Sequence, residues 1–90
     1  MRVVHCKVDR CTHYIGRPSV FGNPYSVTVY GRNKCISLFE GYARGSSGLM
    51  AAINDLPETA VLGCFCAPAK CHGDVIIKLW KEMHAGEERR

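Results

Sequence analysis

The sequence predicts a small α/β layer fold, in which a partly parallel sheet of about three strands packs against about three helices. The chain has 90 residues, which is enough for a single domain over residues 1–90 and no more. Short apolar runs rich in β-branched residues alternate with longer stretches in which apolar residues recur every three or four positions. The hydrophobic fraction of 47% is that of a globular chain, and no run approaches the ~20 apolar residues of a membrane span.

The first third of the chain is predicted to contain two strands separated by a long loop. The valine-rich segment 2–8 is short and apolar, which is typical of a strand. Residues 9–24 contain two glycines and two prolines and no periodic pattern, so they are predicted to form a loop. Loops of this length in so small a domain are often functional. The alternating segment 25–30, YSVTVY, predicts an edge strand that ends at Gly31.

The middle of the chain is predicted to contain two helices. Asn33 can cap the first helix, which runs to about Tyr42. Ser46 or Ser47 can cap the second, and Pro57 ends it because proline cannot continue a helix. The predicted apolar faces carry Cys35, Phe39 and Tyr42, or Ile36, Phe39 and Ala43, in the first helix, and Leu49, Ala52, Ile53 and Leu56 in the second.

The last third is predicted to contain a buried strand and an amphipathic helix. The apolar run 60–65 has turn residues on both sides, as the central strands of parallel sheets do. From His72 to about His84 the apolar residues form one stripe along a helix. The stripe consists of Val75, Ile76, Leu79, Trp80 and Met83.

The charge and the cysteine content restrict the class of protein. A formal net charge of +4 is too small to indicate a nucleic-acid-binding protein by itself, but it is compatible with an anionic ligand or partner. The N-terminal segment 1–10 lacks the apolar region of a signal peptide, so we expect a cytoplasmic protein. Disulfides are rare in that compartment, so the six cysteines are expected to be reduced and available for metal binding or chemistry.

Three of the cysteines lie between the predicted buried strand and the last helix, in GCFCAPAKCHGD, residues 63–74. Ligands of open α/β sheets usually bind here, outside the carboxyl ends of the strands. Cys71 and His72 stand at the start of the helix, whose partial positive charge and free N–H groups stabilise a thiolate or hold a phosphate. We therefore predict that Cys71 has a lowered pKa and is the most reactive or the most strongly metal-bound thiol.

Two functional interpretations of this turn stay open. In a catalytic site, Cys71 would be the nucleophile, His72 the general acid or base, and Asp74 would orient it. In a metal site, Cys64, Cys66, Cys71 and His72 would offer sulfur and nitrogen ligands to zinc, although the spacing lacks a C-x2-C pair. A structural explanation also exists, with Cys64 as a small buried side chain and Asp74 as a charge that stabilises the helix dipole.

The long loop contains a second informative stretch, YIGRPSVFGNP, residues 14–24. Gly16 permits close approach of a ligand to the backbone, and Arg17 offers a planar fork for phosphate or carboxylate. Ser19 and Asn23 add neutral hydrogen-bonding groups. These four residues are predicted to bind a ligand, and the alternative is a rigid surface loop with solvated side chains.

Together, YIGRPSVFGNPY and LGCFCAPAKCHGDVI resemble the signature of domain of unknown function 4326, a small family frequent in bacteriophage genomes. The family pattern is IGRPS-x2-GNP, then a helical middle, then GCWC-x-P-x2-CHGD followed by a helix. In this chain Phe65 stands where the family often has tryptophan. Cys6 and Cys11 lie outside the pattern. The second motif is also similar to domain of unknown function 488, which has a Rossmann-like fold. The resemblance implies a phage or phage-derived source and a Rossmann-like fold, and it implies no reaction.

We therefore predict a small intracellular phage-type protein with one site, in which loop 14–24 and turn 63–74 meet. Arg17 is expected to lie within side-chain reach of the start of the last helix. The ligand bound or processed there is predicted to be a small anion, such as a nucleotide or a nucleobase derivative. The alternative is a non-catalytic, zinc-stabilised module that binds nucleic acid or a host protein; no membrane partner and no cofactor other than zinc are expected.

Overall fold

A computed structural model describes the backbone of residues 1–66 and 69–88 and the side chains of residues 1–66 and 69–85. The described residues form three strands and four helices, which confirms the predicted α/β class. In chain order these are β1 Arg2–His5, β2 His13–Tyr14, α1 Val27–Tyr30, α2 Arg32–Arg44, α3 Ser47–Asn54, β3 Val61–Cys64 and α4 His72–Glu88.

The three strands form a wholly parallel sheet in the order β1-β3-β2. The run predicted as a buried strand lies at the centre, where His5 pairs with Cys64 on one side and Tyr14 with Gly63 on the other. Because parallel strands end at the same edge, the segments that follow β1, β2 and β3 all leave from that edge. The sheet therefore brings the long loop and the cysteine turn to one place.

The core lies where α2, α3 and α4 pack against one another and against the sheet. Phe39 of α2, Leu62 of β3 and Ile76 of α4 are fully buried in it. Trp80 of α4 adds a hydrogen bond from its indole nitrogen to the carbonyl of Leu56, at 2.8 Å. No helix in the described part of the chain is both long enough and apolar enough to cross a membrane.

The strand predicted over residues 25–30 is wrong, because this segment forms the single helical turn α1. The backbone N–H groups of Tyr30 and Gly31 donate to the carbonyls of Ser26 and Val27, at 3.0 and 2.8 Å. This turn places the Tyr25 ring against Tyr30, at 5.7 Å between centroids, and against Tyr42 of α2, at 6.4 Å. Strand propensity depends on a neighbouring strand, and here the aromatic contacts with α2 outweigh it.

The predicted loop 9–24 contains the strand β2, which the sequence pattern did not reveal. Two residues are too few to show an alternating pattern, so only the pairing with β3 defines this strand. The first strand is shorter than the predicted segment 2–8. It ends at His5, whose carbonyl accepts the N–H groups of Val8 and Asp9, both at 3.0 Å.

The helix caps agree only in part with the prediction. Helix α2 begins at Arg32 and is capped by Gly31 instead of Asn33. Gly31 has φ 78°, in the region that glycine adopts without steric cost. Ser46 caps α3 as predicted, and its hydroxyl accepts the N–H of Leu49 at 3.2 Å. Helix α4 begins at His72 as predicted and continues beyond the predicted end.

Candidate functional site

A cleft of about 330 Å³ opens at the edge of the sheet where the strands end. The loop after β2 forms one wall, and the turn after β3 with the start of α4 forms a second. The segment 23–36 forms the third, so loop 14–24 and turn 63–74 meet as predicted, although Ala67 and Pro68 lie outside the described residues. The lining residues are Tyr14, Gly16, Arg17, Asn23, Tyr25, Val27, Arg32, Cys35, Ile36, Cys64, Phe65, Cys66, Lys70, Cys71 and His72.

Most of the side chains predicted for the site line this cleft, but two do not. Asp74 is exposed on the first turn of α4, and its carboxylate accepts the backbone N–H of Cys71 at 3.3 Å. Ser19 lies outside the cleft lining, and its hydroxyl is buried with no hydrogen-bond partner among the described residues. Asp74 thus caps the start of α4, in agreement with the structural explanation that places its charge at the helix end.

Three cations line the cleft: Arg17 from the loop, Arg32 from the start of α2, and Lys70 from the turn. Within the described part of the chain, no aspartate or glutamate lines it. Arg32 also donates from Nη1 to the carbonyl of Lys70 at 2.8 Å, which joins α2 to the cysteine turn. Arg32 and Lys70 were not predicted as site residues, because Arg32 lies outside both motifs and Lys70 is an unspecified position within the turn 63–74. Only the fold brings them to Arg17.

An exposed aromatic ring stands at the mouth of the cleft. Phe65 directly follows β3 and is 54% exposed. Its ring makes edge contacts with the rings of His5 and Tyr14, at 5.9 and 6.0 Å between centroids. The ring is therefore held in place while about half of its apolar surface stays in contact with solvent.

Asn23 connects the loop to α2. Its side-chain oxygen accepts the N–H of Tyr25 at 2.9 Å, and its side-chain nitrogen donates to the carbonyl of Cys35 at 3.2 Å. The Cys35 thiol in turn donates to the carbonyl of Tyr25 at 2.8 Å. Both polar atoms of Asn23 are thus engaged within the protein, so these contacts give Asn23 a structural role, and its predicted role in ligand binding stays a prediction.

Gly16 lies against the aromatic ring of Tyr14. A Cβ atom at Gly16 would overlap the hydroxyl and the ring of Tyr14, so a larger residue there would require the Tyr14 side chain to move. Tyr14 itself donates from its hydroxyl to the carbonyl of Arg17 at 3.3 Å, and the peptide bond between Arg17 and Pro18 is cis. The loop that carries Arg17 is thus packed closely on the end of β2.

His72 links the start of α4 to the loop. Its Nε2 donates to the carbonyl of Ile15 at 2.8 Å, and its ring packs against Phe39 with 4.9 Å between centroids. Burial lowers the pKa of His72, although the carbonyl groups of Ile15 and Phe21 act in the opposite direction. His72 is therefore a neutral, buried connection between loop and helix near pH 7.

The thiols of Cys64 and Cys71 are in direct contact inside the cleft, with 3.3 Å between their sulfur atoms. Burial raises the pKa of Cys71 to about 12, helped by Cys64 and Cys66 and opposed by the N–H of Gly73. The predicted lowered pKa of Cys71 is therefore wrong. The helix-end effect of about 0.3–1 kcal/mol is smaller than the cost of removing a thiolate from water.

The comparison with known families now bears on both motifs. Residues 2–82 match the family described as a domain of unknown function (DUF4326). The chain belongs to this family. The match spans both motifs and confirms the resemblance that they indicated, whereas no curated protein and no solved structure matches the chain.

The structure explains one residue of the CHGD motif of this family in physical terms. A Cβ atom at Gly73 would lie 2.7 Å from Cγ2 of Val3 and 2.9 Å from Cδ1 of Ile15. Real Cβ contacts are essentially never that short, so glycine lets the start of α4 pack directly on β1 and on the loop. Together with the cap by Asp74, this packing shows that the motif positions the helix end beside the cleft.

A zinc site finds no support in this arrangement. Within residues 1–66 and 69–88, no group of three or more histidine, cysteine, aspartate or glutamate side chains is placed to hold a metal ion. Nε2 of His72, one of the predicted ligand atoms, is instead hydrogen-bonded to the carbonyl of Ile15. Zinc binding by Cys64, Cys66, Cys71 and His72 therefore stays a prediction.

The revised pKa of Cys71 leads to a testable order of alkylation. With limiting iodoacetamide at pH 7, we expect the half-buried Cys66 to be labelled before Cys71. Labelling of Cys71 should accelerate about tenfold for each pH unit between pH 7 and pH 10, because the thiolate fraction rises in that proportion below the pKa. Peptide mass spectrometry of the metal-free protein gives both rates, and labelling of Cys71 first at pH 7 would contradict a raised pKa.

Proposed function

We propose that the cleft binds a small anionic ligand of the nucleotide type. The observation that carries the proposal is the charge of the lining, where Arg17, Arg32 and Lys70 meet and no carboxylate of the described residues faces them. Guanidinium groups bind phosphate through two parallel N–H···O bonds, and a lysine ammonium adds a point charge. Three cations from separate parts of the chain thus make an anion the favoured occupant.

The remaining lining supports a ligand that also carries a flat ring. Tyr14, Tyr25 and Phe65 line the same cleft, and aromatic side chains stack on nucleobases. The volume of about 330 Å³ lies at the lower end of the range of small-molecule sites. A mononucleotide combines the phosphate that the cations favour with the base that the aromatic side chains favour.

The affinity for the anion is assigned to side chains and not to the end of α4. The N–H of Cys71 donates to Asp74, and the N–H of Gly73 donates to the sulfur of Cys71, both at 3.3 Å. Two donors that a phosphate would otherwise use at a helix N-terminus are thus engaged. Arg17 becomes the residue on which binding should depend most, because Arg32 also holds the turn through Lys70.

The proposal concerns binding and does not include turnover. A protonated thiol is a weak nucleophile, and burial raises the pKa of Cys71 to about 12. His72 is buried and engaged with Ile15, and Asp74 lies outside the cleft lining. The catalytic roles predicted for these residues, the phage source and the cytoplasmic location stay predictions, as does the alternative of a module for nucleic acid or a host protein.

Titration calorimetry on the full chain tests the proposal with a nucleoside monophosphate, the matching nucleoside and inorganic phosphate as three separate probes. We expect the monophosphate to bind more tightly than phosphate, the nucleoside to bind most weakly, and added salt to weaken binding. Arg17→Ala should weaken binding of the monophosphate about tenfold or more, because a hydrogen bond to a charged group contributes about 1.5–3 kcal/mol.

Arg10→Ala is the matched control for this experiment. Arg10 is exposed and absent from the cleft lining, so its substitution makes the same change in net charge away from the site. We expect binding to change by less than about twofold in this variant, as screened surface charges contribute little. Equal losses in both variants would indicate a general charge effect, and no binding of the nucleoside monophosphate to the natural chain would refute the proposal.

A further inference from the structure

Two buried thiols meet at the inner end of the cleft, which we call the dithiol. Cys64 is the last residue of β3, and Cys71 directly precedes α4. Their side chains are held by these two elements with 3.3 Å between the sulfur atoms. A disulfide has an S–S bond of about 2.05 Å, so the two sulfur atoms would have to approach each other by about 1.2 Å to bond.

We propose that Cys64 and Cys71 form a peroxide-reactive dithiol that closes reversibly to a disulfide inside the cleft. The proposal does not depend on which ligand the cleft binds. Both residues line the cleft although they are only 2% and 3% exposed, so a small oxidant that enters the cleft can approach them. Hydrogen peroxide, with two heavy atoms, meets that condition.

Backbone donors support both sulfur atoms. The N–H of Gly73 points to the sulfur of Cys71 at 3.3 Å, and the N–H of Cys66 points to the sulfur of Cys64 at 3.4 Å. Hydrogen bonds of this kind stabilise a thiolate once it forms, and the N–H of Gly73 lowers the pKa of Cys71 against the effect of burial. Each sulfur is therefore placed beside both its reaction partner and a donor.

The third buried thiol, Cys35, provides a comparison within the same protein. Cys35 also lines the cleft, but its thiol donates to the carbonyl of Tyr25 at 2.8 Å and its sulfur accepts a bond from Asn23 at 3.2 Å. That thiol serves to connect the loop to α2. Among the described residues, Cys64 and Cys71 make no such connection to the loop or to α2, and the group nearest to each sulfur across the contact is the other thiol.

The reaction balances with hydrogen peroxide as the only co-reactant. Thiolate is a small fraction of Cys71 at pH 7, because burial raises the pKa of Cys71 to about 12, so the first step is slow there. In that step the Cys71 thiolate attacks one peroxide oxygen, the O–O bond breaks, and the released hydroxide takes a proton to become water. The thiolate of Cys64 then attacks the sulfur of the resulting sulfenic acid, the S–O bond breaks, and a second water leaves. Two thiols and one peroxide thus give one disulfide and two waters, with two electrons passing from sulfur to oxygen.

Peroxide treatment of the reduced, full-length chain followed by blocking of free thiols and non-reducing peptide mapping tests the proposal. Trypsin cuts after Lys70 and separates Cys71 from Cys64 and Cys66, so a disulfide appears as a linked peptide pair that lacks two hydrogens, and fragmentation of that pair identifies which of Cys64 and Cys66 is linked. We expect the pair to contain Cys64 and Cys71, to form faster as the pH rises from 7 to 9, and to separate with dithiothreitol.

Two variants distinguish this disulfide from others in the same turn. Cys66→Ser should still form the disulfide, because Cys66 takes no part in the reaction. Cys64→Ser should form no disulfide and should leave a sulfenic acid on Cys71 that dimedone traps. The proposal would be overturned if Cys66 were linked to Cys71 in the natural chain, or if Cys66→Ser formed no disulfide. Both outcomes can be read even if Cys64→Ser does not fold.

Discussion

Replacing His72 with alanine is expected to lower the free energy of unfolding by about 2–4 kcal/mol. The substitution removes a ring that is 8% exposed and packed on Phe39, and it leaves a cavity between α2 and α4. It also removes the donor to the carbonyl of Ile15, which then lacks that partner at a buried position. For a domain of this size, such a loss is a large part of the total stability.

Urea denaturation followed by circular dichroism measures this loss. His13→Ala is the matched control, because His13 is half-buried in the two-residue strand β2 at the sheet edge. We expect that variant to lose less than about 1 kcal/mol, as substitutions outside the core usually do. Equal losses at the two positions would show that His72 is not the connection between loop and helix.

The same residue should make stability depend on pH. Burial lowers the pKa of His72 below its ordinary value of 6.5, so as the pH falls the unfolded chain takes up a proton before the folded chain does. The contribution of His72 to the free energy of unfolding is therefore fully present above pH 6.5. It decreases as the pH falls below 6.5, by at most about 1.4 kcal/mol for each pH unit. The pKa of Glu40 is lowered from 4.5 by hydrogen bonds from Lys78 and Arg44, so its effect falls below this window.

His72→Gln tests the pH dependence, because glutamine keeps an N–H donor and cannot titrate in this range. We expect the stability of this variant to be nearly constant between pH 5 and pH 7.5, while that of the natural chain declines toward pH 5. The two curves, from denaturation at each pH, should converge at the acidic end. Parallel curves would indicate that another group is responsible for the decline.

Gly73→Ala is expected to destabilise the protein by about 1–3 kcal/mol, the usual cost of adding a methyl group to a tightly packed core. The new Cβ would lie within 3.0 Å of carbon atoms of both Val3 and Ile15. Relief requires the start of α4 to move away from β1, and that movement would also displace Cys71 and His72. We therefore expect nucleotide binding to weaken together with stability.

Gly41→Ala makes the same chemical change in a helix without the overlap. Gly41 lies within α2, is exposed, and a Cβ there would meet nothing within 4 Å. Alanine should stabilise this variant by about 0.5–1 kcal/mol, because glycine is a poor helix former. Thermal unfolding of both variants should therefore show shifts of opposite sign, and two shifts of the same sign would contradict the packing argument.

Local sequence patterns determined several elements correctly. The stripe of α4 and the serine cap of α3 depend on interactions between residues close in sequence, and the buried strands β1 and β3 show as short apolar runs, so all four are visible in the sequence. The two motifs likewise indicated the family that the match over residues 2–82 confirms. The prediction that the loop and the turn share one site came from their glycine, proline and polar residues, and the parallel strands, which end at one edge, bring these two segments to one cleft.

Tertiary structure alone decided the features of the fold and the cleft that these local patterns do not show. Segment 25–30 became α1 because its tyrosine rings pack on α2, and β2 exists only through its pairing with β3. Arg32 and Lys70 joined Arg17 although no motif marks them, since three separate segments meet at the cleft. The sequence shows that the Cys71 thiol stands at a helix end, which by itself would lower its pKa. Burial acts more strongly and raises that pKa, and burial depends on how the whole chain packs around the thiol.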